Sequence, residues 1–148
     1  MKEVSGNIWG YYNDDEWIIL PTNGTVDGEG NAYVWDISAT AQAGLIFEEF
    51  VSDLGAKIKS KGNVPICLEK YKIITIPVKS SKDDKSSLDL IKKHLQEVIK
   101  IVDKQKLENV YISLPGCNAK TKNEIHYRKE LKPAIKDILD DRFNIIVE

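Results

Sequence analysis

Trp17, Ile18, Ile19, Leu20, Pro21, Thr22, Asn23, Gly24 is the stretch on which the reading of the fold turns. Trp17 to Leu20 is an unbroken apolar run of strand length, and Pro21 to Asn31, with Gly24, Gly28 and Gly30, reads as a loop. Beyond it, Ile37, Ala41, Leu45 and then Phe50, Val51, Leu54 and Ile58 recur at helical spacing. That spacing predicts a first long helix, ended by Gly62 and Asn63.

The same alternation extends in both directions. Upstream, Val4 to Trp9 reads as another short strand, separated from Trp17 by the polar turn Asn13, Asp14, Asp15, Glu16. Downstream come the apolar run Val64 to Leu68 and the β-branched segment Lys72 to Val78, both read as strands. Ser86 or Ser87 suits an N-cap for a second helix, whose stripe Leu88, Ile91, Leu95, Val98, Val102 runs to about Gln105. Asn109 to Leu114 reads as a buried strand and Pro115 to Asn123 as a polar loop. Leu131, Ile135, Ile138 and Leu139 mark a third helix before a closing strand, Phe143 to Val147. Strands alternating with helices imply a mixed, mainly parallel sheet between helical layers, with Leu45, Phe50, Leu54, Leu95, Val98, Ile135 and Ile138 facing it. Ligands of such folds bind beyond the carboxyl ends of strands, which points to the Pro21 to Asp36 and Pro115 to Asn123 loops.

A chain of 148 residues is long enough to bury a hydrophobic core, so one domain over residues 1–148 is expected. With 21 basic against 23 acidic residues there is no charge excess to suggest nucleic acid as a partner. Cys67 and Cys117 lack CxxC spacing, which argues against a metal site and for unpaired thiols in a reducing compartment. No apolar run has the length of a signal peptide or a membrane span, so a cytoplasmic protein without membrane association is expected.

Few residues offer chemistry. The loop amides around Gly30 could face an anion, and the Asn23 carboxamide could meet a ribose hydroxyl, although Asn before Gly is also a favoured turn pair. Gly116 could let the backbone approach a ligand closely. Cys117 has only His94 and His126 as imidazole partners, both on predicted helices, and neither pairs with it in sequence. Asp36, between the glycine loop and the first long helix, reads as an N-cap ahead of a general base. Tyr33 and Trp35 could stack on a base or belong to the core.

Taken together, the motifs resemble the macro domains, in particular the shorter variants of phage and bacterial genomes. Gly6, Asn7, Ile8, Trp9 is similar to that family's opening segment, and Ile18 to Gly24 to its strand ending in asparagine. Gly62–Asn63, Pro77–Val78–Lys79, Leu88 to Ile91, Leu114 to Cys117 and Asp140 to Phe143 follow in the family's order. The resemblance implies a three-layer α/β/α fold and a cleft for an ADP-ribose-type nucleotide. Gly6, Asn7 and Ile8 would then lie near the base and Asn23 near the distal ribose. Gly30, Asn31, Ala32, Tyr33, Val34 and Trp35 would line one side and Pro115, Gly116, Cys117 and Asn118 the other.

The chain departs from the family in both phosphate loops. Where the first reads Gly-x-Ala-Val-Met-Gly-x-Gly, this chain has Gly30 to Ile37 with Trp35 and Ile37 replacing two glycines, and bulky residues resist positive φ. Where the second reads Gly-Cys-Gly-Asn-Gly-Gly, Gly116 and Cys117 are followed by Asn118, Ala119 and Lys120. The first expectation is therefore nucleotide binding without catalysis and without a cofactor. A hydrolase of ADP-ribose derivatives, with Asn23 orienting water and Asp36 as base, is the second. A protein-interaction or anti-defence module, its cleft closed by Trp35 and Ile37, is the third.

Overall fold

The computed structural model describes residues 1–113 and 125–147. Its centre is a six-stranded sheet in the order β1-β6-β5-β2-β4-β3. The strands are β1 (Lys2–Val4), β2 (Trp17–Thr22), β3 (Ile66–Leu68), β4 (Ile73–Pro77), β5 (Val110–Ile112) and β6 (Phe143–Ile146). All pairings are parallel except β3 with β4, so the sheet is mixed and mainly parallel, as the pattern predicts. The helices are α1 (Ile8–Asn13), α2 (Ser38–Ile46), α3 (Phe50–Lys61), α4 (Leu88–Lys104) and α5 (Lys132–Ile135).

Strand alternation divides the core between the two faces of the sheet. Ile18 and Leu20 of β2 pack with Ile8, Ala43, Phe50, Leu54 and Ile58, which puts α1, α2 and α3 on one face. Ile19, Ile74, Ile76, Val110 and Phe143 pack with Ile91, Leu95, Val98, Val102 and Ile135, which puts α4 and α5 on the other. This is the three-layer α/β/α arrangement. Ser87 caps α4, its hydroxyl accepting from the Leu90 amide at 3.2 Å, and Gln105 ends the helix as the spacing predicts.

Four expectations need correction. Val4 to Trp9 is not one strand: β1 stops at Val4, and the Asn7 Oδ1 accepts from the Trp9 amide at 2.9 Å to start α1. An apolar pair at Ile8 and Trp9 looks strand-like, but side-chain capping at Asn7 selects helix. The first long helix is two, because the backbone turns extended at Phe47 before α3 begins at Phe50. That break leaves Leu45 73% exposed instead of facing the sheet, although Phe50 and Leu54 are fully buried there. The third helix is a π-helical turn, Tyr127–Leu131, running into the four-residue α5, so Ile138 lies beyond it and only partly packs on the core. Asp36 is not an N-cap: Ile37 holds that position in α2 and makes no side-chain cap.

Tyr71, just before β4, donates its hydroxyl to Asp53 Oδ2 of α3 at 2.5 Å. The bond holds the Asp53 carboxyl below its ordinary range, while burial and then that same bond raise the Tyr71 phenol.

Two outcomes are expected in urea unfolding. Leu95→Ala should lower stability by about 2 to 5 kcal/mol, and Leu45→Ala by less than about 0.5 kcal/mol. Tyr71→Phe should cost roughly 1 kcal/mol near neutral pH, the carboxylate being partly exposed to solvent. A depressed carboxyl contributes above its unfolded value and a raised phenol below its own. The difference from the parent should therefore shrink as pH falls below about 4 or rises above about 10.

Candidate functional site

Because β5, β2 and β4 run parallel, with Ile19 opposite both Ile112 and Ile74, their carboxyl ends share one edge. The chain leaves β2 toward β3 and β4 on one side and reaches β5 on the other, a change of direction that opens a crevice at that edge. Gly6 and Asn7 follow β1 at the same edge, two strands beyond β5. The Pro115 to Asn123 loop, with Pro115, Gly116, Cys117 and Asn118, lies outside the described residues.

Asn23 is fully buried at the end of β2. Its Nδ2 donates to the Tyr33 carbonyl at 3.0 Å and to Asp36 Oδ1 at 2.8 Å, and its Oδ1 accepts from the Thr25 amide at 2.9 Å. Both donor hydrogens are therefore spent on the chain itself. Lys79, just after β4, reaches Asp36 Oδ2 at 3.0 Å, so both carboxylate oxygens are engaged. Asn63 adds a second tie, donating to the Lys79 carbonyl at 3.1 Å. Its side chain occupies the space where a Cβ on Gly24 would stand, and Gly24 takes a positive φ of 75°.

The glycine loop folds back on itself as a small hairpin, with Val26 bridging Ala32. The amides of Gly30, Asn31, Ala32 and Tyr33 donate to Asp27 O, Asp27 Oδ1, Val51 O and Thr25 O respectively. The expectation that amides of Gly30 to Ala32 face phosphate oxygens is thus corrected: a loop packed on a helix must satisfy its own polar groups, and these amides do so. Gly55 of α3 makes that packing possible, since a Cβ there would meet the Gly30 carbonyl oxygen at 2.0 Å. Further on, the amides of Val34, Trp35 and Asp36 have no hydrogen-bond partner among the described residues. They lead directly into the uncapped first turn of α2.

The remaining side chains divide between core and surface. Ile8, Ala32 and Val34 are buried core residues, and Asn7 is the cap of α1. Tyr33 is half-buried beneath Lys82, whose Nζ stands 5.5 Å from the ring centroid. Trp35 is 51% exposed and lies along α2, its ring so close to Gly44 that a Cβ there would come within 3.0 Å. His94 is buried with Nδ1 2.8 Å from the Pro77 carbonyl, and His126 Nδ1 accepts from the Lys129 amide. Among the described residues no group of histidine, cysteine and carboxylate side chains could hold a metal. No described helix is long and apolar enough to cross a membrane.

The structure adds residues to which the sequence reading gave no role at this site. Lys79, Asn63, Gly55 and Thr40, whose Oγ1 donates to the Pro21 carbonyl at 2.6 Å, all brace the end of β2 or its loop. A lysine directly after an apolar strand was the visible signal for Lys79; its partner Asp36 lies on a distant segment.

Asn23→Ala should lower stability by about 1 to 3 kcal/mol, because it strands a buried amide, a carbonyl and one carboxylate oxygen. Asn23→Asp should be worse at pH 7, since it sets a second carboxylate against Asp36, and should recover toward the parent as pH falls. Urea midpoints at pH 7 and pH 5 check both.

No protein-family model and no curated protein sequence matches the chain. Solved structures do. The macrodomain of Thermus aquaticus DarG is similar over 99% of this chain and 97% of its own, with a TM-score of 0.67 at 12% identity. The macrodomain of Mycobacterium tuberculosis DarG is similar over the same shares, with 0.69 at 14%. Thermosipho africanus DarTG in complex with ADP-ribose is similar over 99% of this chain and 41% of its own, with 0.70 at 11%. The sheet order, the two helical layers and these superpositions agree, and the chain has a macrodomain-like fold.

Proposed function

We propose that the chain binds an ADP-ribose-type nucleotide at the edge where β2 and β5 end, without catalysing its turnover. The observation that carries the reading is the run of unpartnered amides at Val34, Trp35 and Asp36, continued by the uncapped N-terminus of α2. Four properties of that run suit a diphosphate: N–H donors, the positive end of a helix dipole, no acidic residue in the first turn, and a place at the carboxyl edge of a parallel sheet. The Asp36 carboxylate would oppose an anion, and Lys79 offsets it at 3.0 Å. The ADP-ribose complex among the similar structures supports the ligand class.

Absence of catalysis rests on the same geometry. Asn23 and Asp36, the two residues a hydrolase would need here, spend their polar atoms on each other, on Lys79 and on the loop backbone. Trp35, half-exposed with its ring lying along α2 as far as Gly44, is available to stack on a ring of the ligand.

Calorimetry with ADP-ribose and NAD, followed by chromatography of the mixtures, tests the proposal. Heat with unchanged nucleotide is expected. Product formation would overturn the non-catalytic half, and no heat with either nucleotide would leave the protein-interaction reading. Trp35→Gly should weaken binding about two- to tenfold if the ring stacks; tighter binding would identify Trp35 as a plug instead.

A further inference from the structure

A second concave surface lies away from that edge, between the free side of β3 and α4. It encloses about 600 Å³ and is lined by Val64, Pro65, Cys67, His94, Ile101 and Gln105, with lysines around it. Lys93, Lys100 and Lys104 follow one another at seven- and four-residue intervals along α4, which sets them on one side of the helix, and Lys61 stands opposite at the end of α3. Of the lining carboxylates, Glu97 is paired with Lys100, and Glu69, held by the neutral Gln105 amide, keeps its charge, so four lysines stand against two glutamates. Among the described residues Lys61, Lys93 and Lys104 have no ion-pair partner, so the groove presents unneutralised positive charge.

Two further features show that this is more than a solvated lysine face. β3 ends the sheet, so alternate backbone N–H and C=O groups on its outer side have no strand to meet among the described residues. His94 is 98% buried yet lines the groove; its Nδ1 carries the proton given to the Pro77 carbonyl, and Nε2 has no hydrogen-bond partner among the described residues. An imidazole nitrogen open to the groove, an open strand edge, an apolar floor and a row of lysines together describe a receptor for a chain, not for a point charge. The lysine row spans roughly 16 Å at 1.5 Å per helical residue, the length of about five extended residues.

We infer that this groove binds an acidic peptide segment in extended conformation, added as a strand to β3 with carboxylates toward Lys93, Lys100 and Lys104. Main-chain hydrogen bonds to the edge would supply affinity, and alternate side chains would reach the apolar floor at Val64, Pro65 and Ile101. Lysines beside a short edge strand also repel a second copy approaching edge to edge, so a partner of opposite charge is the one the surface admits.

The test uses the full chain, labelled with ¹⁵N, and a terminally blocked hexapeptide of alternating glutamate and valine. Amide shifts should move at Ile66, Cys67 and Leu68 and along Lys93 to Gln105, and binding should weaken at least tenfold in Lys93→Glu/Lys104→Glu and with added salt. Both lysines are exposed, so the double variant should keep its unfolding midpoint and its heat with ADP-ribose. That readout separates failure here from failure of the nucleotide reading. The inference is overturned if the peptide moves none of these amides or if a lysine and valine hexapeptide moves them equally. It is also overturned if a single-stranded oligonucleotide binds there more tightly than the peptide, or if the shifts arise from self-association on concentration.

Discussion

A polar strand end that is buried must find its hydrogen bonds inside the protein, and at the carboxyl end of β2 this constraint organises everything around the candidate site. Thr22 and Asn23 are buried where the central strand runs out of strand partners. Val78 donates to the Thr22 carbonyl, Thr40 to the Pro21 carbonyl, and the Asn23 carboxamide takes Thr25, Tyr33 and Asp36. Each of these bonds draws in a different segment: the start of the β4–α4 connection, the first turns of α2, and both arms of the glycine loop. Meeting the needs of three residues therefore fixes the course of the whole loop, and with it which amides remain free.

The same principle explains why the glycine loop does not itself cradle a ligand. Packing it against α3 at Gly55 brings the backbones of Gly30 and Ala32 into contact with the helix, and at such closeness their donors cannot be left bare. Asp27 caps the hairpin tip by accepting from Glu29 and Asn31. What remains unpaired is displaced toward Val34 to Asp36 and the start of α2, where Trp35 and Ile37 stand at positions the resemblance assigns to glycine. Replacing those glycines thus does not abolish the donors; it changes the side chains that flank them.

Elsewhere the molecule shows how little of its charge is structural. Lys70 reaches Glu49 and Asp53, and Arg142 reaches Asp103 and Asp140, but these pairs lie on the surface and contribute modestly to stability. The core on each face of the sheet carries the fold, and Lys93 and Lys104 of α4 have no ion-pair partner among the described residues.

The sequence by itself determined the fold class, because side-chain period is a local property. The buried runs at Ile18 to Leu20 and Ile73 to Ile76, the Ser87 cap and the stripe of α4 each declare their element within a few residues. It also placed the loop after β2 at the carboxyl edge of the sheet, since alternating strands and helices imply a parallel sheet. Short elements were harder to read: Ile8–Trp9 fits a strand by hydropathy, and only the Asn7 side chain closing on the Trp9 amide makes it helix. The roles of Asn23 and Asp36 were decided by tertiary structure alone, because a carboxamide looks equally suited to a ribose, a turn or a buried lock until its neighbours are known. Asp36 is 13 residues from Asn23 along the chain. Lys79 is 43 residues beyond Asp36, brought beside it when β4 pairs with β2. Hydrogen bonds and ion pairs between such distant segments leave no periodic trace, which is why Asn23 and Asp36 could be singled out in the sequence and their contacts with each other and with Lys79 could not.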